Sequence, residues 1–159
     1  MWISGYLRRL DGSITEFDAP DAGLGANQGT DPWGINPEGA VTGFYWDASG
    51  DNVYHGFLRK PDGTFIQFDL PGAGTDPFEG TQPGGINLWG MISGMTIDPN
   101  GVAHGFLRAP NGKIIVFDAP GAGTGAGQGT APQSINQLGE ITGGYVDANF
   151  VAHGFVRRP

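Results

Sequence analysis

Apolar residues in this chain occur in short runs, alternating with polar or small residues, and each run ends at a turn rich in Gly, Asn, Asp or Pro. Alternation of this kind between turn residues is typical of antiparallel β-hairpins. No segment carries a 3.6-residue apolar period over the length of a helix. The sequence therefore predicts an all-β protein.

The same pattern repeats along the chain. A His-Gly-Phe-Leu/Val-Arg segment occurs three times at 49-residue spacing, and a degenerate Ser-Gly-Tyr-Leu-Arg copy precedes the first by 51 residues; the four copies begin at Ser4, His55, His104 and His153. The last two full repeats align without a gap and share 27 of 49 positions. A fixed period of this length indicates a repeat architecture. We interpret residues 1–159 as one repeat domain with units 5–55, 56–104 and 105–153 and a C-terminal strand at 154–159.

Four short strands are predicted in each repeat. The first holds an Ile-Asn pair, the second reads AVTGFYWD in its first copy, the third reads HGFLR and the fourth reads TFIQFD. A fourteen-residue link, APGAGTGAGQGTAP in the last copy, then leads to the next repeat. Four-stranded meanders with a period of about 40–50 residues are typical of β-propeller blades. We therefore predict propeller-type blades, with a β-trefoil as the alternative.

One hairpin predicts its own register. Pro61 and Gly63 in Lys-Pro-Asp-Gly-Thr suit a type I turn that is closed by a Gly bulge. That turn opposes His55 to Asp69, and directly opposed residues share a face of the sheet. The same register pairs His104 with Asp118 and Ser4 with Asp18. His153 is predicted to lack a partner, because no fourth strand follows it.

The order of the strands predicts a ring that one chain does not complete. The strands run 3-4, then 1-2-3-4 twice, then 1-2-3, which amounts to about three blades. Because propellers have at least four blades, we expect a homo-oligomer, either a dimer or a trimer. In such a ring, Asp18 of a neighbouring copy would become the partner of His153. The alternative is an engineered or excised propeller fragment with no function of its own.

Composition and charge narrow the classes of partner. Sixteen acidic and eight basic residues give a net charge of −8, which disfavours nucleic acids and anionic membranes as partners. The chain has no Cys, which excludes disulfides and thiolate chemistry. Gly makes up 30 of 159 residues, but 38% of the residues are hydrophobic, so the glycines indicate turns and not disorder. The Gly-rich run from Gly121 has no helix after it, so no nucleotide cofactor is predicted.

The repeated frame also resembles a known family. Its residues in the first copy are Gly34, Ile35, Asn36, Gly39, Gly43, His55 and Phe57. This frame resembles the HAF-type extracellular repeat of bacteria over essentially the whole chain, although Gly replaces Ala in the His-Ala-Phe triplet and the repeat ends in Phe-Asp-x-Pro-Gly-Ala where the family often has Asp-Leu-Gly. The resemblance implies an extracellular or cell-surface, propeller-like repeat protein and implies no catalytic residues. Because the sequence opens directly into the repeat, no signal peptide is predicted within it.

The histidines and their acidic partners are predicted to be structural. One His in each repeat could in principle form a metal site, but a group that recurs in every unit more often supports the scaffold. We therefore predict no metal site and no catalytic residue. The predicted structural pairs comprise His55, Asp69, His104, Asp118, Asp18 and His153. The arginines after the third strand (Arg8, Arg59, Arg108 and Arg157) are interpreted as solvated turn residues or partners in inter-chain ion pairs.

Residues that differ between the repeats are the better candidates for ligand binding. Aromatic rings beside carboxylates could stack on a sugar and hydrogen-bond to it, although packing between blades is the competing interpretation. The predicted ligand-binding residues are Trp33, Trp89, Trp46, Tyr45, Phe78 and Glu79. The sequence thus predicts a non-enzymatic scaffold or recognition module, with carbohydrate as the expected ligand. An extracellular propeller enzyme, a polysaccharide lyase or hydrolase, is the alternative.

Overall fold

A computed structural model describes residues 3–159, which form thirteen β-strands and no helix. The all-β prediction is confirmed. An N-terminal hairpin comprises β1 (Gly5–Arg8) and β2 (Ile14–Phe17). The first meander comprises β3 (Gly29–Ile35), β4 (Val41–Trp46), β5 (Tyr54–Arg59) and β6 (Phe65–Phe68). The second comprises β7 (Gly80–Ile86), β8 (Ile92–Ile97), β9 (Ala103–Arg108) and β10 (Ile114–Phe117), and the third β11 (Gly129–Ile135), β12 (Ile141–Val146) and β13 (Ala152–Arg157).

The hairpin between β5 and β6 has the predicted register. Arg59 lies opposite Phe65, and the Lys60 amide donates to the Thr64 carbonyl at 2.8 Å. Gly63 closes the turn with a φ of +91°, a conformation that L side chains rarely adopt. The turn residues therefore determine which side chains of the two strands share a face.

The first strand of each meander is longer than its sequence suggests. The link between β6 and β7 spans residues 69–79, eleven residues and not fourteen, because the strand already begins at Gly80. The Gly-Thr-x-Pro segment at this point lacks apolar alternation, so the sequence shows no strand signal there. A contact with the preceding repeat holds it extended instead: Gly80 pairs in parallel with Tyr54, as Gly29 does with Ile3 and Gly129 with Ala103.

The junction between successive repeats depends on the first two residues of the incoming strand, which are Gly80 and Thr81 in β7. Gly80 has a φ of +111°, and a Cβ there would lie 2.2 Å from the Tyr54 carbonyl oxygen. The Thr81 hydroxyl beside it is fully buried and accepts a hydrogen bond from the Leu70 amide at 3.0 Å. The equivalent hydroxyls of Thr30 and Thr130 accept from Ala19 and Ala119, both at 2.8 Å. The Gly-Thr dipeptide is therefore the joint between successive repeats.

Each meander packs one face, here called the rear face, on the preceding repeat. The opposite face, here called the forward face, packs on the following repeat in the first and second meanders. The rear face of the first meander packs on the N-terminal hairpin through the cluster Phe17, Ala19, Val41, Tyr45 and Phe57. The forward face of the first meander packs on the rear face of the second through Leu70, Ile86, Ile92 and Phe106. The apolar core therefore lies between repeats.

Three of the four arginines at the end of the third strand (Arg59, Arg108 and Arg157) lie in this packing, and the prediction of solvated turn residues is wrong for these three, whereas Arg8 is exposed. The guanidinium carbons of Arg59, Arg108 and Arg157 lie 4.7–4.9 Å from the ring centroids of Phe17, Phe68 and Phe117 in the preceding repeat. Arg108 is buried. A planar guanidinium stacks on an aromatic face with little loss of hydration, which explains why Arg recurs at this position.

Candidate ligand-binding groove

His55 and His104 each lie between two carboxylates. His55 Nδ1 is 2.9 Å from Asp69 Oδ2 and His55 Nε2 is 3.7 Å from Asp47 Oδ2. His104 repeats this arrangement, with Nδ1 3.0 Å from Asp118 Oδ1. The hydrogen bond that the His55 imidazole donates to the Asp69 carboxylate raises the pKa of His55 above its usual value. These side chains tie the third strand to the fourth strand and to the turn after the second.

His153 has a partner that the sequence did not suggest. Its Nε2 atom lies 3.0 Å from Asp147 Oδ2, so the prediction that His153 is unpaired is wrong. Asp147 heads the turn before β13 and sits where Asp47 and Asp98 sit in the other repeats. Asp18, at the other end of the chain, accepts a hydrogen bond from the Ser4 hydroxyl at 3.3 Å. Among residues 3–159, no group of three or more His, Cys, Asp or Glu is arranged to hold a metal ion.

The structure separates the predicted ligand-binding residues. Trp33 and Trp46 lie in one aromatic cluster, because both pack on Phe44 with ring centroids 5.8 and 5.1 Å away. Tyr54 completes that cluster. Tyr45 points to the opposite, rear face, where it is buried and stacked on His55. Burial raises the pKa of the Tyr45 phenol, whose oxygen accepts a hydrogen bond from Gln67.

The remaining predicted residues lie in turns and serve the backbone there. Glu79 Oε2 accepts from the Asp76 amide at 3.0 Å, the role that Gln28 and Gln128 play for Gly25 and Gly125. Phe78, next to it, has a φ of +68° and is largely exposed. The Trp89 indole donates to the Gln137 carbonyl of the next meander at 3.2 Å. None of these three residues contacts the Trp33 cluster within the described part of the chain.

A groove opens where the first strands of the three meanders meet. In each, the strand register slips by one residue after Pro, and the bulged residues are Trp33, Gly84 and Gln133. Gly84 has no side chain, and a Cβ there would lie 3.1 Å from the Gln133 carbonyl oxygen. The Gly84 bulge therefore lies close against the backbone of the third meander, and Trp33 and Gln133 border the same groove.

The groove is small and has aromatic, apolar and amide walls. Its volume is about 120 Å³, and its side-chain lining comes mainly from Trp33, Phe44, Met95, Gln82 and Gln133. Trp33 is 61% exposed, whereas Phe44 is buried beneath it. No charged side chain lines the groove. Such a site can stack a ring on Trp33 and offer amide donors and acceptors to its polar groups.

Sequence comparison of the repeats could have found part of this site. Phe44 is replaced by Met95 and by Gly144 at the equivalent positions, and Gln82 by Asp31 and by Ala131. These differences are visible without a structure. The convergence of three bulges is not, because it depends on how the meanders stack.

Comparison with protein-family models, with curated proteins and with solved structures gave no match for this chain. The likeness to HAF-type repeats therefore stays a prediction from the repeated frame. No helix long and apolar enough to cross a membrane is found among residues 3–159.

Proposed function

We propose that this chain is a non-enzymatic repeat module of the β-propeller type, and that it recognises carbohydrate through the groove at Trp33. The observation that supports recognition most strongly is the groove itself, which is lined by an exposed indole and by two amide side chains. At this place the three repeats share one bulged backbone geometry but carry Trp33, Gly84 and Gln133, which differ in chemistry.

The stacking of the meanders supports the propeller arrangement. In each complete meander the fourth strand is outermost, and the link returns to the first strand of the next meander. The first strands approach closely: a Cβ on Gly34 would lie 2.7 Å from the Gly84 carbonyl oxygen, and one on Gly85 would lie 3.0 Å from the Ile135 amide. First strands gathered on the inside and fourth strands outside are the arrangement of propeller blades.

The chemistry of the groove favours a neutral sugar over an ionic ligand. Neither a cationic nor an anionic side chain lines it, so an ion would lose hydration without gaining a partner. The apolar face of a pyranose can stack on Trp33, and its hydroxyls can pair with Gln82 and Gln133. The volume suits a single ring, well below the roughly 300–1,000 Å³ of sites for larger ligands.

The histidines support a non-enzymatic role. The chain has three His residues, and each lies beside carboxylates in a repeated position of its own meander. A catalytic base would be expected at one place only, next to a substrate site. A carbohydrate-binding module of this kind would act outside the cell or at its surface, which is the location we propose.

A glycan array followed by calorimetry with the best monosaccharide or disaccharide tests this function. We expect Trp33→Ala to weaken binding by about 2- to 12-fold, because an aromatic contact contributes roughly 0.5–1.5 kcal/mol. Gln133→Ala should weaken binding less. Trp89→Ala is the matched control, since Trp89 is 63% exposed but lies outside the groove. Absence of any glycan binding, or equal loss in both Trp variants, would refute the proposal.

A further inference from the structure

The repeats lie one against the next as a stack. The first and last repeats of this stack expose surfaces whose equivalents in the other repeats are covered by a neighbouring repeat. A Cβ on Gly56 or Gly105, on a forward face, would lie within 3.0 Å of a Pro ring carbon of the next meander. On Gly154, the equivalent residue of the third meander, it would meet nothing within 4 Å. Among residues 3–159, therefore, the forward face of the third meander has no neighbour.

At the other end of the stack, apolar residues around the N-terminal hairpin are exposed, although their equivalents in later repeats are buried. Tyr6 on β1 is 64% exposed, whereas the equivalent Phe57 and Phe106 are fully buried. Ile35 on β3 is 56% exposed, whereas Ile86 and Ile135 are 8% and 7% exposed. A groove of about 300 Å³ runs between β1 and β3. At the equivalent place one repeat later, β3 and β4 of the first meander pack against β7.

The polar groups at the two ends are complementary as well. Asp18 Oδ1 is buried, and no residue of 3–159 donates a hydrogen bond to it. The equivalent carboxylates of Asp69 and Asp118 each bind a His Nδ1 atom. His153 contacts Asp147 through Nε2, and its Nδ1 has no acceptor within the described chain. Within residues 3–159, Asp18 at the N-terminal end therefore lacks a His partner, and His153 at the C-terminal end lacks the Asp of a fourth strand.

We propose that a second copy of this chain completes the stack by strand exchange: β13 of one copy replaces β1 beside β2 of the other. Strand β2 of the partner copy then becomes the fourth strand of the third meander. The register of β5 with β6 places His153 opposite Asp18, Val156 opposite Thr15 and Arg157 opposite Ile14 in the partner. The occupant is inferred from the repeat, because every covered forward face in this chain is covered by another repeat of the same sequence.

The exchange replaces one strand by its equivalent. Residues 3–9 read ISGYLRR and residues 152–158 read AHGFVRR, so both strands present an aromatic residue, an aliphatic residue and Arg in the same order. The incoming strand brings His153 where β1 has Ser4, and thereby gives Asp18 its missing donor. It also brings β11 and β12 against the groove that exposes Ile35.

Two copies give a closed particle. The interface is head-to-tail, so it must either close into a ring or continue as a filament. Each copy contributes two complete meanders and one shared meander, and two copies therefore give six. Rings of about four to eight blades are the usual range. This inference goes beyond carbohydrate binding and does not rest on it, although Trp33 also lines the groove that the partner would cover.

The mass of the full chain in solution is the first test. Size exclusion with light scattering should give twice the chain mass of 16.6 kDa. A particle of one chain mass at all concentrations would overturn the proposal. A trimer or a filament would overturn the two-copy ring.

Engineered cysteines give the second test, since the chain has none of its own. The pair Thr15→Cys with Val156→Cys should form covalent dimers, because these residues face each other only across the proposed interface. The pair Leu107→Cys with Ile115→Cys occupies the equivalent register within one chain and should cross-link without dimers. Leu7→Cys with Thr15→Cys should lock β1 onto β2 and yield monomers when oxidised and dimers when reduced. Dimers from the locked chain, or none from the first pair, would contradict strand exchange.

Discussion

The second and third meanders have closely similar sequences and very different surroundings. Phe106 and Phe155 occupy equivalent positions on β9 and β13, yet Phe106 is fully buried and Phe155 is only half-buried. Asn87 is buried and donates to the Asn136 carbonyl of the next meander at 3.1 Å, whereas Asn136 is exposed and donates to its own Glu140. The same strand pattern thus builds a core position in one repeat and a surface position in the next.

This difference shows that a repeat buries little by itself. Each meander is too thin to enclose a core, so its apolar residues are buried only when a neighbour covers both faces. In such arrays the interfaces between repeats supply most of the stability. The first two of the following predictions compare matched positions in the two meanders, and the other two test the joint between repeats and a His–Asp pair. All refer to a chain held monomeric by the oxidised Leu7→Cys, Thr15→Cys pair.

The largest difference is expected between Phe106→Ala and Phe155→Ala. Phe106 is fully buried against Phe68, so its loss leaves a cavity and should cost about 3–5 kcal/mol. Phe155 contacts Phe117 but is partly solvated, and its loss should cost about 1–2 kcal/mol. Urea denaturation measures both values. Equal costs would mean that the third meander is as well packed as the second.

Substitution by Ala should have different effects on stability at Gly105 and at Gly154. A Cβ on Gly105 would lie 2.9 Å from Pro132 Cγ, so Gly105→Ala should destabilise the fold by about 1–3 kcal/mol. Gly154→Ala meets open space and should change the free energy of unfolding by less than about 0.5 kcal/mol. Thermal or urea unfolding checks both. In the unlocked chain, Gly154→Ala should weaken the dimer; an unaffected dimer would place the interface elsewhere.

Removing a hydroxyl tests the joint between repeats. Thr81→Val removes a buried acceptor from the Leu70 amide and should cost about 1–3 kcal/mol. The control is Thr142→Val, since the Thr142 hydroxyl donates to the Phe155 carbonyl at an exposed site and should matter by less than about 0.5 kcal/mol. Differential scanning calorimetry can compare the two variants. A larger effect at Thr142 would argue against the joint as a stabilising element.

The smallest effect is expected from the charge of His55. Because Asp69 raises the pKa of His55 above the unfolded value of about 6.5, the protonated pair stabilises the fold below that pH. The advantage of the wild type over His55→Gln should then fade as the pH rises through the folded pKa. Denaturation between about pH 6 and pH 8 measures the difference, and NMR titration gives the pKa. A folded pKa at or below the unfolded value would contradict this assignment.

Local turn chemistry explains which parts of the fold could be predicted. The Lys-Pro-Asp-Gly-Thr turn determined the register of β5 and β6, and that register placed His55 beside Asp69. The start of β7 was missed because Gly80 and Thr81 carry no apolar alternation and are held by the preceding repeat. Arg108 was misread because a charged residue after a strand ordinarily meets water, and only the ring of Phe68 makes its burial favourable.

The candidate site was predictable only in part. Trp33 and Trp46 were identified as residues that break the repeat, and the structure brings both to Phe44. Tyr45 was assigned to the same set, but strand alternation and stacking turn it to the rear face. Gln82 and Gln133 lie far apart in sequence, and their approach depends on the bulges of two different meanders.

By itself, the sequence determined the all-β class and the register of the third strand with the fourth, because these follow from short-range turn geometry and from the two-residue alternation of a strand. Only the tertiary structure decided which face of each meander is buried, which Gly meets a neighbour and which aromatic ring meets solvent. Burial in this protein is a property of the contact between repeats, so it changes from one copy to the next even where the residues do not.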